Sequence, residues 1–315
     1  MKHSQQTTLR AAVTLSGVGV HSGDEVRMIL HPAEAHHGIA FLRTNLAGGH
    51  DRLIDARHLA VTATELCTVI GDRESGAVAT IEHLMAALAG LGVDNVLVEI
   101  DGPEVPILDG SAAPFIDAID AVGLVSLSAV RRYLKVLKPI RVTQGKAFTE
   151  LQPFERGFKL DVEIDFSSPV IGRQRRAIEL SPSAFRREIS RARTFGFMRD
   201  VEKLWGAGFA LGASLDNTVA IGDDGILNPE GLRYADEFVR HKILDAVGDL
   251  ALGGLPIVGA YRSYCGGHRM NFLVLEALFA SRSNYTIVDG STRREPAYAE
   301  RAGAMAVRAF AQDVH

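Results

Sequence analysis

Apolar residues recur along this chain in two rhythms. Short apolar or alternating runs, edged by glycine, proline and polar residues, predict strands at Ala12–Leu15, Val26–Leu30, Val93–Ile100, Tyr133–Val142, Lys159–Phe166 and Leu255–Tyr261. Longer stretches with helical spacing predict helices at Thr80–Gly90, Ala113–Val122, Tyr234–Ala251 and Met270–Phe279. Thr80 reads as the N-cap of the first helix and Gly90 as its end. Gly17, Gly19, His21 and Gly23 form a turn-rich stretch, and Asp101-Gly102-Pro103 breaks the strand before it. Strands and helices follow one another in the same order in both halves. Apolar residues give way to Ser126-Leu127-Ser128 and a paired arginine near Arg132, which places a boundary there. Helix layered on sheet, twice over, is the expected architecture, with domains over 1–128 and 133–315.

At 315 residues the chain exceeds the usual size of one core, in keeping with two domains. A net charge of -4 argues against a general nucleic-acid binder, whose phosphate contacts need a basic face. Two cysteines, Cys67 and Cys265, give no disulfide framework and fit a reducing compartment. The start, Met1 to Gln6, is polar and lacks the apolar core of a signal peptide. No apolar run reaches the roughly 18 residues of a spanning helix. The expected location is the cytoplasm.

The chemistry concentrates in Glu82-His83 and His241-Lys242-Ile243-Leu244-Asp245. On a helix, His241 and Asp245 stand at i and i+4 and leave the same face, the spacing for gripping one metal ion. His83 is a candidate third ligand from a second helix, and Glu82 beside it a candidate general base. Three N/O ligands with an unbound carboxylate describe a catalytic metal site in the cleft between two domains. The plainer reading also stands: a His and an Asp four apart are common on solvated helix faces, and His83 can simply pack beneath its own helix.

Longer stretches narrow the choice. Ser16-Gly17-Val18-Gly19-Val20-His21-Ser22-Gly23, Leu66-Cys67-Thr68, Thr80 to Asn95, Ile107 to Phe115, Ser190 to Asp200, Asp236 to Asp249 and Gly267-His268 together resemble the zinc-dependent UDP-3-O-acyl-N-acetylglucosamine deacetylases of lipid A biosynthesis, a family of Gram-negative bacteria. The resemblance covers nearly the whole chain. It implies an α+β fold of two similar βααβ two-layer sandwich domains, each with a small insert, and an active site in the cleft between them. It implies hydrolysis of the substrate's N-acetyl group to a free amine and acetate. The metal ligands would be His83, His241 and Asp245, holding Zn2+, with Fe2+ as the alternative in the cell.

By the same resemblance Glu82 takes the proton of the attacking water, and His268, as imidazolium, stabilises the oxyanion and protonates the leaving amine. Asp249, one turn beyond Asp245, would hold the His268 ring, and the Thr194 hydroxyl would serve the oxyanion. Phe195 would lie against the hexosamine, Lys242 would reach the sugar or phosphates, and Leu66 and Cys67 would border the substrate. The second-domain insert, near 194–217, would form an acyl passage lined by Leu204, Trp205, Phe209, Leu211 and Leu215. The implied partner is a lipid-like UDP-sugar, with no nucleic acid, at most transient membrane contact, and a monomeric enzyme. Two residues depart from the family pattern: Cys265, two before Gly267, is a second thiol that could take excess metal, and Glu65 stands where an apolar residue is expected. The chain also leaves no room after its last helix for a fused dehydratase domain. Two other readings predict different behaviour. An amidase for another N-acetyl sugar would not need the acyl chain. A βααβ binding module with a structural metal would close the site with a fourth protein ligand.

Overall fold

The computed structural model describes residues 5–46, 49–72 and 74–290, so 291–315 of the expected second domain lie outside it. Six α-helices occur among these residues: α1 Glu82–Leu91, α2 Ala113–Val122, α3 Pro182–Glu188, α4 Met198–Gly206, α5 Glu237–Ala251 and α6 His268–Phe279. With several sheets they make an α+β fold.

A five-stranded sheet in the first half runs in the order Val13–Val18, Glu25–Pro32, Val96–Ile100, Ile39–Arg43, Arg52–Asp55. Its central strand, Val96–Ile100, is antiparallel to Glu25–Pro32 and parallel to Ile39–Arg43. Met28, Leu30, Val96, Val98 and Ile100 alternate inward and carry the core. In the second half, Ile257–Tyr264 is the hub of a seven-stranded sheet. It pairs in parallel with Arg132–Val136 and Phe158–Asp165, and antiparallel with Ala147–Gln152. Each hub strand follows a buried helix, α1 in one half and α5 in the other, and these two helices pack directly on each other. The site lies at their contact.

Several predicted boundaries move for local reasons. The single strand expected over Tyr133–Val142 is two strands, Arg132–Val136 and Ile140–Gln144, separated within their sheet by two others. Pro139 lies between them and has no N–H to give a ladder. Thr80 does not cap α1: Ile81 holds that position, and Thr80, at φ 55°, donates its hydroxyl to Glu104 instead. The helix continues past Gly90 and ends at Gly92, whose φ of 79° suits the left-handed cap. Gly90 is small for packing, since a Cβ there would lie 2.3 Å from the Phe185 ring of α3. The helix expected from Met270 starts two residues earlier, so His268 opens α6 from an extended Gly267 and is not a loop residue.

Candidate active site

Helix α5 carries four titratable side chains spaced by four, Glu237, His241, Asp245 and Asp249, all on its buried face. Such a stripe would be costly inside a helix pair unless each group found a partner. The close approach of α1 supplies partners. At Gly248 a Cβ would lie 2.0 Å from the Glu82 carbonyl oxygen, so only glycine lets the two backbones come this near. Glu82 and His83, at the first turn of α1, are thereby set opposite Asp245 and Asp249.

His83, His241 and Asp245 each offer one ligand atom, and these atoms lie within 4.8 Å of one another. Nε2 of His241 is 3.3 Å and Nε2 of His83 3.7 Å from Oδ1 of Asp245, and the two rings meet edge to face at 4.9 Å between centroids. His241 donates Nδ1–H to the carbonyl of Ala192 at 3.0 Å, leaving the Nε2 lone pair directed at the cluster. His83 Nδ1 is buried without a hydrogen-bond partner among the described residues. Burial, reinforced by the neighbouring His241, pushes the His83 imidazole down to about 3, and burial also lowers that of His241. Both rings are therefore neutral donors at pH 7. Burial by itself would raise the Asp245 carboxyl, but His241 and the Lys242 ammonium outweigh it and hold the group well below the usual carboxylate range. Two neutral imidazoles and one ionised carboxylate suit a divalent ion of the zinc or ferrous type. No fourth His, Cys, Asp or Glu joins them among the described residues, so the set is open.

Beside this cluster stands a second network. His268 donates Nδ1–H to Asp249 at 2.9 Å and turns Nε2 toward Glu82, 3.9 Å from Oε1. Asp249 also accepts from the Thr68 hydroxyl at 2.6 Å and the Asn271 amide at 2.8 Å. The other end of Asn271 accepts from the Tyr261 hydroxyl. Burial disfavours the charged His268 ring, yet the Asp249 and Glu82 carboxylates overcome it and lift the ring to about 9. Glu82 accepts the Thr68 backbone N–H at 3.1 Å. Its carboxyl is pushed up to about 8, chiefly by burial, with the His268 ring opposing and Asp249 and Asp245 adding to the rise. A buried carboxyl and an imidazole, both shifted toward holding a proton, thus flank one side of the ligand cluster.

The other expected residues are placed as follows. Phe195 is half-buried, with its ring 6.1 Å from that of His241 and 4.9 Å from that of Phe238. Thr194 is half-buried next to it, its N–H bonded to the Gly110 carbonyl at 2.8 Å. The ammonium of Lys242, the residue expected to reach the sugar or phosphates, sits 2.8 Å from Oδ2 of Asp245, its i+3 neighbour, and 5.5 Å from the centre of the Phe195 ring. Leu66 is exposed in a left-handed conformation, φ 66°, whereas Cys67 is buried and its thiol is pushed up to about 12, mainly by burial. Helix α4 covers only the start of the expected passage. Leu204 is half-buried, while Trp205, Leu211 and Leu215 are exposed apolar side chains. Chain after α4 docks on the turn-rich stretch of the first half, through Leu211 N–H to His21 O and Gly212 N–H to Val20 O, each 3.1 Å, and Phe209 against the His21 ring. Cys265 is exposed and lies outside the ligand cluster, and Glu65 is exposed as well.

Thr68, Ala192, Asn271 and Glu237 belong to the site without having been expected there. Glu237 continues the four-residue stripe of His241, Asp245 and Asp249, and Asn271 stands at i+3 from His268, so helical spacing carries both signals. The Ala192 carbonyl is a backbone atom and leaves no residue-type signature.

The family model of LpxC, UDP-3-O-acyl N-acetylglycosamine deacetylase, matches residues 6–280. The chain is 52% identical over 289 residues to the UDP-3-O-acyl-N-acetylglucosamine deacetylases of Brucella ovis and Brucella canis, covering 91% of this chain and 99% of theirs. The protein of that name from Brucella melitensis biotype 2 is 51% identical over the same shares.

Proposed function

The chain belongs to the LpxC family of UDP-3-O-acyl N-acetylglycosamine deacetylases, and on that footing we propose how its residues carry out zinc-dependent removal of the N-acetyl group from UDP-3-O-acyl-N-acetylglucosamine. Amide and water give a free amine and acetate, an early step of lipid A biosynthesis. The observation that carries the mechanism is the meeting of α1 and α5, which brings His83, His241 and Asp245 to within 4.8 Å of one another with Glu82 alongside.

His83, His241 and Asp245 would hold Zn2+, or Fe2+ in the cell. When bound, such an ion polarises the amide carbonyl, lowers the pKa of an adjacent water and, as an opposite charge, draws the Glu82 carboxyl toward its ionised form. Glu82 accepts the proton of the attacking water. His268 keeps Asp249 on Nδ1 and presents Nε2–H to the oxyanion and then to the departing amine, which leaves with that proton. Asp249 serves this by holding both the orientation and the charge of the ring. The Thr194 hydroxyl completes the oxyanion site and Phe195 supports the sugar ring. The Lys242 ammonium holds the second oxygen of Asp245 and lies beside Phe195, where an acylated UDP-sugar would pass. Leu66 borders the sugar, Cys67 packs behind it, and Leu204, Leu211 and Leu215 offer apolar surface to the acyl chain.

We read the chain as two domains, 1–128 and 133–315, because no strand of the first half pairs with one of the second among the described residues. No helix among those residues is long and apolar enough to cross a membrane. A cytoplasmic monomer touching the membrane only transiently fits a substrate with one acyl chain.

Deacetylation and metal content, measured together on wild type and His241→Ala, test the proposal. About one zinc per wild-type chain, with metal and turnover both lost in the variant, is the expected result. Full turnover by metal-free protein would overturn the ligand assignment. Equal turnover of UDP-N-acetylglucosamine lacking the acyl chain would overturn the substrate.

A further inference from the structure

The segment Ala192–Phe195 does three things at once: it gives a carbonyl to His241, places the Thr194 hydroxyl and lays Phe195 by the ligands. Arg193, in its middle, faces the other way and is the largest fully buried side chain among the described residues. Its charge is met by Glu237, which is itself wholly buried. Nε bonds Oε1 of Glu237 at 3.0 Å and Nη2 bonds Oε2 at 3.3 Å, the fork of a bidentate pair. The backbone N–H of Arg193 donates to the same Oε1 at 2.9 Å, Nη2 also reaches the Gly231 carbonyl at 2.7 Å, and Nη1 meets Glu230. Glu237 takes one more bond, from the N–H of Arg233 at 2.6 Å.

Glu237 and His241 are one turn apart on the same face of α5, and Arg193 and Ala192 are adjacent in the segment. The first pair of contacts therefore fixes the register of the second. We infer that the Arg193–Glu237 ion pair is a positioning device for the metal ligand His241: it locks the segment to the first turn of α5, so that the Ala192 carbonyl holds His241 Nδ1–H and keeps Nε2 aimed at His83 and Asp245. Neither residue touches substrate or ligand cluster. A buried ion pair is weak as a source of stability but strict in geometry, because leaving either charge alone in the interior is costly. Lysine cannot replace the fork, since an ammonium is a point charge with no planar pair of donors.

The inference rests on the metal reading of the site, and the test separates the two. The dissociation constant of Zn2+ is measured by competition with a chromophoric chelator on the full chain, for wild type, Arg193→Lys and Glu237→Gln. Circular dichroism melts and the proton resonance of His241 Nδ1–H accompany it. Arg175→Lys, in an exposed pair with Asp161 on the outer sheet face, is the control. At a temperature where all are folded, both site variants should bind Zn2+ about 10–100-fold more weakly and lose the Nδ1–H resonance, with the control unchanged. Folded variants with wild-type affinity and an intact resonance would overturn the inference, even if they melt earlier. Should Arg193→Lys fail to fold, Glu237→Gln decides, since it is nearly isosteric and keeps an oxygen for the Arg193 N–H. A wild-type chain that binds no Zn2+ would overturn the metal reading itself.

Discussion

Replacing Gly248 by alanine puts a methyl group in place of a hydrogen at the point where α5 meets α1. The methyl carbon would sit 2.0 Å from the Glu82 carbonyl oxygen, 2.8 Å from its carbonyl carbon and 3.0 Å from its Cα. These are backbone atoms of a buried helix, so no side chain can swing away. Relieving the first contact to even 3.0 Å requires the helices to part by about 1 Å, and α1 carries Glu82 and His83 with it. Overpacking of this kind costs about 1–3 kcal/mol, which lowers Tm by several degrees. Catalysis should suffer far more, since a shift of about 1 Å between reacting groups is worth about 100-fold in rate. The assay is kcat/KM for deacetylation with Tm and zinc content on the same preparations. Gly225→Ala is the control, because a Cβ there meets nothing within 4 Å. A Gly248→Ala protein that keeps kcat/KM within threefold of wild type would refute the argument that helix approach sets the site.

Glu82→Gln should retain zinc while kcat falls about 10²–10⁴-fold, the usual worth of a positioned base; loss of zinc would instead make Glu82 part of the ligand set. Asp249→Asn removes the charge that lifts His268 to about 9. A general acid acts while protonated, so activity in wild type should fall as pH rises through about 9, and the variant's alkaline limb should move to lower pH; an unmoved limb would assign it to another group. The same sign applies to stability. The His268 interaction is fully present below the unfolded histidine pKa of about 6.5 and is lost as pH rises through about 9, so chemical denaturation at pH 6 and pH 10 should show its contribution only at the lower pH. Iodoacetamide at pH 8 should label exposed Cys265 and spare Cys67, whose buried thiol is pushed up to about 12; peptide mapping that finds Cys67 modified in folded protein would contradict its placement.

Local spacing made much of this protein legible in one dimension. A helix forces residues four apart onto one face, so His241 and Asp245 were joined before any fold was known, and the same rule extends to Glu237 and Asp249. Apolar runs and their breakers located both hub strands and the helices before them, because burial of one face is written into the period of the chain. The family resemblance implies roles that no periodicity carries, such as that of His268. Contacts between distant segments had no such trace. The close approach at Gly248, where a Cβ would lie 2.0 Å from the Glu82 carbonyl oxygen, sets α1 against α5 and depends on two helices far apart in the chain. Asp249 draws its partners from two distant segments, Thr68 from the first half and His268 with Asn271 from α6, and its service to His268 exists only once both have arrived. The Ala192 carbonyl is chemically identical to every other carbonyl in the chain, so its bond to His241 is purely a matter of position. Lys242 divides between the two kinds of contact: standing at i+3 from Asp245, it can reach that carboxylate by helical spacing alone, but its place beside the Phe195 ring comes from a separate segment and is decided only by the fold.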